Sequence, residues 1–156
     1  MAVFKMPTKY FLVSGTAEGI TELNSFDNAL INAGVGDTNL VRLSSILPPR
    51  CREIDPIKLP EGSLVPIAYS KITSSRPGEV ISAAVAIGIP EDENLAGLIM
   101  EYAAREPLEV VERKVKEMVR EGFSFRGKKL KEIKSIGATI KVKRIATAFA
   151  GVVLWD

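Results

Sequence analysis

Histidine is absent from the 156 residues and cysteine occurs once, at Cys51. Without imidazole there is no Ser-His-Asp triad, no Cys-His dyad and no His-ligated zinc. A single thiol builds neither a thiolate metal cage nor an internal disulfide, so no metal is expected and any catalysis needs another source of reactivity. Long apolar runs are missing too. The longest, Ile145 to Trp155, falls well short of the about 20 residues a membrane-spanning helix requires. The start of the chain, Met1 to Tyr10, mixes Lys5 and Lys9 with Pro7 and develops no continuous apolar stretch or small-residue cleavage site. No Asn-x-Ser/Thr acceptor occurs. These absences lead us to expect a cytoplasmic protein with no membrane partner, and one unpaired Cys fits a reducing compartment.

Hydrophobic residues make up 46% of the chain, enough for one soluble domain with a substantial core. The net charge of +2 conceals an asymmetry. Between Arg113 and Arg144 there are 12 basic and 3 acidic residues, against 9 basic and 16 acidic elsewhere. A non-enzymatic protein that binds an acidic partner through this 113–144 block is one alternative reading. The block interleaves its charges with Val115, Leu130, Ile133, Ile136 and Ile140, however, as solvated faces of amphipathic elements do. It also lacks an RNA-binding aromatic signature, and no nucleic-acid partner is expected.

Along the chain, Tyr10 to Ser14 reads as a short strand ending at Gly15, with Gly15 to Gly19 as a flexible connection. A helix follows over Phe26 to Ala33, capped by Asn24 or Ser25 and stopped by Gly34, which puts Asp27 in the first turn. Thr38 to Leu47 is a β-like run ending at Pro48-Pro49. Leu64 to Thr73 and Val80 to Ile89 read as an antiparallel hairpin, and Leu95 to Tyr102 as another strand. Pro107 to Glu121 is predicted helical, with Leu108, Val111, Val115 and Met118 as its apolar stripe. Glu109 with Arg113, and Glu112 with Lys116, are the expected i,i+4 pairs of its outer face. Two more extended segments, Lys131 to Lys143 and Ile145 to Leu154, complete the chain, the second apolar on both sides and so central and covered. This order, strands with two helices and no βαβ alternation, predicts a single α+β domain with mainly antiparallel sheets sandwiched by helices.

The segment Asn39-Leu40-Val41-Arg42-Leu43-Ser44-Ser45-Ile46-Leu47-Pro48-Pro49 places two hydroxyls in an apolar strand just before a rigid stop. Alone, a Ser-Ser pair in a strand is explained by ordinary cross-strand hydrogen bonds. Three further segments change its meaning: Asn24-Ser25-Phe26-Asp27-Asn28-Ala29-Leu30, Asn32-Ala33-Gly34-Val35-Gly36 and Gly97-Leu98-Ile99-Met100-Glu101-Tyr102. In this order, and with the terminal Ala146 to Ala150 strand, they resemble the pyruvoyl-dependent arginine decarboxylases over almost the entire chain.

The resemblance implies an αββα-type sandwich and a proenzyme that cuts itself between Ser44 and Ser45. Residues 1–44 become a β chain and residues 45–156 an α chain whose first residue, Ser45, is converted into the pyruvoyl cofactor. Neither pyridoxal phosphate nor metal is then expected. The activity implied is conversion of arginine to agmatine and CO2 through a Schiff base, in a polyamine-related route. Asn39 is the implied helper in the cut and Glu101 the acid that protonates the product. Asp27 is carried over as the guanidinium-binding carboxylate, although its place at a helix start would also account for it. Gly36 would allow a close turn holding Asn39 beside Ser45, against the plainer reading of a β-turn glycine. A homotrimer with sites at subunit interfaces completes what the likeness implies. A pyruvoyl-dependent decarboxylase of another amino acid is the nearest alternative.

Overall fold

The computed structural model describes residues 4–156; residues 1–3, which belong to the expected 1–44 piece, lie outside the described residues. In chain order the elements are β1 (Lys9–Glu18), α1 (Glu22–Asn32), β2 (Asn39–Arg42), β3 (Ile46–Leu47), β4 (Arg52–Glu53) and β5 (Leu64–Ser74). After them come β6 (Val80–Pro90), β7 (Gly97–Ala104), α2 (Leu108–Arg126), β8 (Leu130–Lys141) and β9 (Ala146–Trp155). One sheet has the order β2-β5-β9-β1-β4 and the other β3-β7-β6-β8. All pairings are antiparallel except β1 with β4 and β2 with β5.

Successive strand residues face opposite ways, and this period divides the apolar side chains into layers. From β1 and β9, Phe11, Val13, Phe149 and Val153 pack with Ala29 and Leu30 of α1. Tyr10, Ala150, Val152 and Leu154 point to the other side, where they meet Val85, Ile87 and Ile99 of the second sheet. On that sheet's far face Ala84, Ala86 and Leu98 pack against Val111, Val115, Val119 and Phe123 of α2. The result is the expected helix-sheet-sheet-helix sandwich. The last strand is buried on both faces as its composition predicts, since every residue but Trp155 is buried.

Four local expectations are corrected. First, Gly15 does not end β1: the strand runs on to Glu18, paired with β9 throughout. Its glycine is required by close packing instead, because a Cβ there would lie 2.6 Å from the Ala29 carbonyl oxygen in α1. Second, α1 starts earlier than predicted, with Thr21 as the N-cap accepting from the Asn24 amide at 3.0 Å. Ser25 is buried and shares a hydrogen bond of 2.7 Å with Thr147. Asp27 therefore sits beyond the first turn, and the acidic residue at the helix start is Glu22.

Third, the run Thr38 to Leu47 is broken in two. β2 joins the larger sheet and β3 the smaller, with Leu43-Ser44-Ser45 crossing between them. Fourth, β5 and β6 are not a hairpin. β5 pairs with β2 and β9 while β6 pairs with β7 and β8, so the intervening turn carries the chain from one sheet to the other. Less drastically, α2 extends to Arg126 and ends at Gly127 in the left-handed region (φ 67°). Its buried stripe continues through Val119 to Phe123, with Met118 only half-buried. Among the described residues the predicted Glu109–Arg113 and Glu112–Lys116 ion pairs do not form, and Glu112 accepts from Ser135 at 2.9 Å instead.

Candidate active site

The crossover from β2 to β3 fastens its peptide bonds at two points. On one side the Leu43 amide donates to the Ile67 carbonyl of β5 at 2.8 Å; on the other, the Ile99 amide of β7 donates to the Ser45 carbonyl at 2.7 Å. The Ser44–Ser45 peptide thus spans the step between the two sheets. Between those anchors neither Ser44 nor the Ser45 amide makes a backbone hydrogen bond among the described residues. Ser44 is exposed and Ser45 half-buried in a bend. Both hydroxyls lack a protein hydrogen-bond partner among the described residues, which leaves the Ser45 Oγ uncommitted. Immediately after the bend, Ile46 and Leu47 pair with Leu98 and Gly97, and the buried Leu47 fixes the direction of the chain.

The same β7 brings Glu101 to this place. Gly97, Ile99 and Glu101 share one face of the strand. Ile99 lies in the apolar layer between the sheets, and Glu101, two residues on, stands at that layer's margin. Its Oε1 accepts from Arg42 at 2.5 Å, whereas Oε2 is buried with no hydrogen-bond partner among the described residues. Arg42 is fixed further by a 3.0 Å bond to the Tyr69 carbonyl and by stacking 4.3 Å above the Tyr69 ring. The Tyr69 ring rests in turn against Phe149, centroid to centroid 5.5 Å. Ser45, Glu101 and Arg42 are therefore gathered in one neighbourhood. Arg42 was missed at the level of sequence; the available signal was a guanidinium in an apolar run two residues before the Ser-Ser pair.

Other predicted residues lie elsewhere on the chain. Asn39 begins β2, at the opposite end of that strand from Arg42, and its Nδ2 donates to the Gly62 carbonyl at 3.3 Å. Asp27 is exposed on α1 and has no hydrogen bond or ion pair among the described residues. With the helix-start explanation gone, its carboxylate has no structural task. Gly36 lies in the turn after α1, where a Cβ would come within 2.3 Å of the Ile31 side chain. That close approach brings the chain tightly past α1 into β2, without putting Asn39 in contact with Ser45. Together with Ile31, Thr38, Lys58 and Leu59, Gly36 lines a shallow cavity of about 200 Å³. Cys51 is half-buried in an apolar setting that pushes its thiol up to about 11, so it is protonated and inert near neutral pH.

Two kinds of likeness decide the family. The model of the pyruvoyl-dependent arginine decarboxylase family matches residues 9–155. The chain belongs to that family. A pyruvoyl-dependent arginine decarboxylase of Methanocaldococcus jannaschii is 48% identical over 154 residues, covering 99% of this chain and 93% of the relative. One from Pyrococcus abyssi is 47% identical, covering 96% of each chain, and one from Methanococcus vannielii is 43% identical, covering 97% of this chain and 93% of its own. This chain is accordingly an enzyme of the pyruvoyl-dependent class, and the binding-protein alternative built on the 113–144 block falls away. The basic side chains of α2, among them Arg113, Lys114 and Arg120, are exposed opposite its buried stripe. Among the described residues no helix is long and apolar enough to cross a membrane, and no cluster of potential metal ligands is found.

Among the described residues the Ser45 hydroxyl has no protein partner and the Ser45 amide lies outside both sheet ladders, features compatible with a pyruvoyl group at this position.

Proposed function

We propose that this chain cuts itself between Ser44 and Ser45 and then, as the 1–44 and 45–156 pieces held together, decarboxylates arginine to agmatine. The observation that carries the reading is the peptide suspended between two sheets, with an uncommitted serine hydroxyl and an unsatisfied carboxylate oxygen on the neighbouring strand.

In the cut, Ser45 Oγ adds to the Ser44 carbonyl carbon, the peptide C–N bond breaks, and an ester joins Ser44 to Ser45 Oγ. The proton from Oγ ends on the freed amine. Charge develops on the Ser44 oxygen during the addition, and loss of one donor to such an oxyanion typically costs about 2.7–4 kcal/mol. Asn39 is the side chain we assign to that task; its 3.3 Å bond to Gly62 is long and readily exchanged. Removal of the Ser45 α-proton then expels the Ser44 carboxylate, and the resulting dehydroalanine takes up water and releases ammonia. A ketone is left at residue 45. Serine is required because one oxygen must both attack and depart.

That ketone supplies an electrophile for the substrate amine and a sink for the electron pair left when CO2 departs. Glu101 holds the proton that the α-carbon then receives. Asp27 takes the guanidinium, whose planar donors suit a carboxylate. Since Asp27 and Asn39 lie away from Ser45 on their own chain, the reading includes a homotrimer in which neighbouring copies complete each site. Exposed Val41, Ile46 and Leu64, around β2 and β3, are apolar surface for such a contact. The 1–44 piece stays bound after the cut because β1 is paired along β9 and α1 covers the same sheet.

An amine-release assay with arginine, lysine, ornithine and histidine, run beside carbonyl labelling of the 45–156 piece, tests this reading. Agmatine from arginine alone and one labelled carbonyl per chain are expected. Preference for another amino acid would overturn the substrate assignment, and an unlabelled but active protein would overturn the cofactor.

A further inference from the structure

Glu101 and Arg42 sit on opposite sides of the proposed cut, one on the 45–156 piece and the other on the 1–44 piece. Their pairing is therefore a contact between the two chains of the mature enzyme, at the margin where the sheets diverge. Three features hold the guanidinium: the Glu101 Oε1, the Tyr69 carbonyl and the Tyr69 ring. Nη2 donates to both oxygens while the flat delocalised cation lies over the ring, a combination a lysine ammonium does not reproduce. Stability alone does not explain the arrangement. The Arg42 side chain is 51% exposed and that of Glu101 32%, and pairs this wet contribute little to folding.

The carboxylate's own hydrogen bonding supplies the reason. With Oε1 bound to Arg42, Oε2 is the oxygen of Glu101 left for an exchange with substrate. That oxygen is buried and unpartnered among the described residues. An unsatisfied buried oxygen is costly unless something uses it. Resting on the reading of Glu101 as the proton source, we infer that Arg42 is a positioning residue for the decarboxylation step. It clamps one oxygen of Glu101 and so fixes the carboxyl group in one orientation, with the other oxygen left for proton transfer to the substrate. Arg42 touches no reacting atom; it acts through Glu101, and it does so from the chain released by the cut.

The test is a double-mutant cycle on the processed enzyme, with rates expressed per carbonyl-bearing 45–156 chain. Arg42→Gln should split normally, melt close to wild type, lose at least tenfold in kcat for arginine and change KM by less than threefold. Arg42→Lys should fall between the two. Added to Glu101→Gln, the Arg42→Gln change should slow turnover by no more than twofold, because the group it positions is already gone. Wild-type kcat in Arg42→Gln would overturn the inference, as would an undiminished loss in the Glu101→Gln background. Failure of both Arg42 variants to split would also overturn it and assign Arg42 to the cut. If Glu101→Gln alone turns over at the wild-type rate, the role of Glu101 itself is what fails.

Discussion

Strand β6 and the crossover between β2 and β3 are the two extremes of this molecule. β6 is paired on both sides, with β7 from Ser82 to Gly88 and with β8 from Val80 to Pro90, and nearly all its residues are buried. The crossover has a four-residue, largely exposed strand on one sheet, a two-residue strand on the other, and a single backbone bond holding each flank of the step. A peptide bond within β6 has its N–H and C=O committed to ladders, so its carbonyl carbon cannot be reached without breaking the sheet. The Ser44–Ser45 bond is held in place at its ends and free at its centre. Regular pairing supplies stability, and the interruption between the sheets leaves this peptide outside the ladders, as the proposed cut requires.

Substitutions on either side of this contrast should separate activity from stability. Ser45→Ala removes the attacking oxygen and should abolish both splitting and CO2 release while leaving the melting temperature close to wild type. Both are readable by denaturing mass spectrometry and calorimetry. Glu101→Gln should split completely yet lose about 10²–10⁴-fold in kcat, the usual worth of a positioned acid. On the other side, Ile87→Ala in the inter-sheet core should lower stability by about 2–5 kcal/mol, seen as a lower denaturant midpoint. Its splitting and kcat should be unchanged well below the transition. A large loss of turnover there would mean that the site depends on the ladder as much as on the crossover.

Smaller effects sharpen the comparison. Asp27→Asn should raise KM for arginine by about 10–100-fold, as expected for a charge-assisted hydrogen bond worth roughly 1.5–3 kcal/mol, with splitting intact. The least effect is expected at Glu18, at the end of β1. Amide donation from Lys143, and then from Arg144 and Ile145, holds its carboxyl below the ordinary 4.5. A lowered folded value means that its stabilisation is complete above pH 4.5 and is lost as pH falls through that folded value. Glu18→Gln should therefore flatten the acid limb of a stability–pH curve slightly and leave arginine turnover untouched.

Much of the architecture is legible in the residues themselves. Apolar and β-branched runs identify β6, β7, β8 and β9 nearly to their ends, and the apolar stripe identifies α2 but not its last turn before Gly127. What escapes is partnership. The turn Ser75 to Glu79 announces that the chain reverses, but the same residues serve a hairpin or an arch between sheets, and only packing of both apolar faces decides. Likewise, Thr38 to Leu47 is continuously β-like, and nothing local says that its halves belong to different sheets. Gly15 reads as a breaker because the helix that needs its missing Cβ is remote from the strand's own pattern. At the proposed site, Ser44, Ser45 and Glu101 are suggested by ordered motifs shared with the family, and the fold adds that β7 runs beside the Ser44–Ser45 step. Arg42 escaped because its meaning lies in Tyr69 and Glu101, 27 and 59 residues away.

The central claim is most directly tested by the intact mass of freshly purified wild-type protein under denaturing conditions, with arginine turnover measured on the same sample. Two pieces that meet at the Ser44–Ser45 junction, the larger beginning with a carbonyl in place of an amine, are predicted. A single uncut 156-residue chain that releases CO2 from arginine would contradict the account.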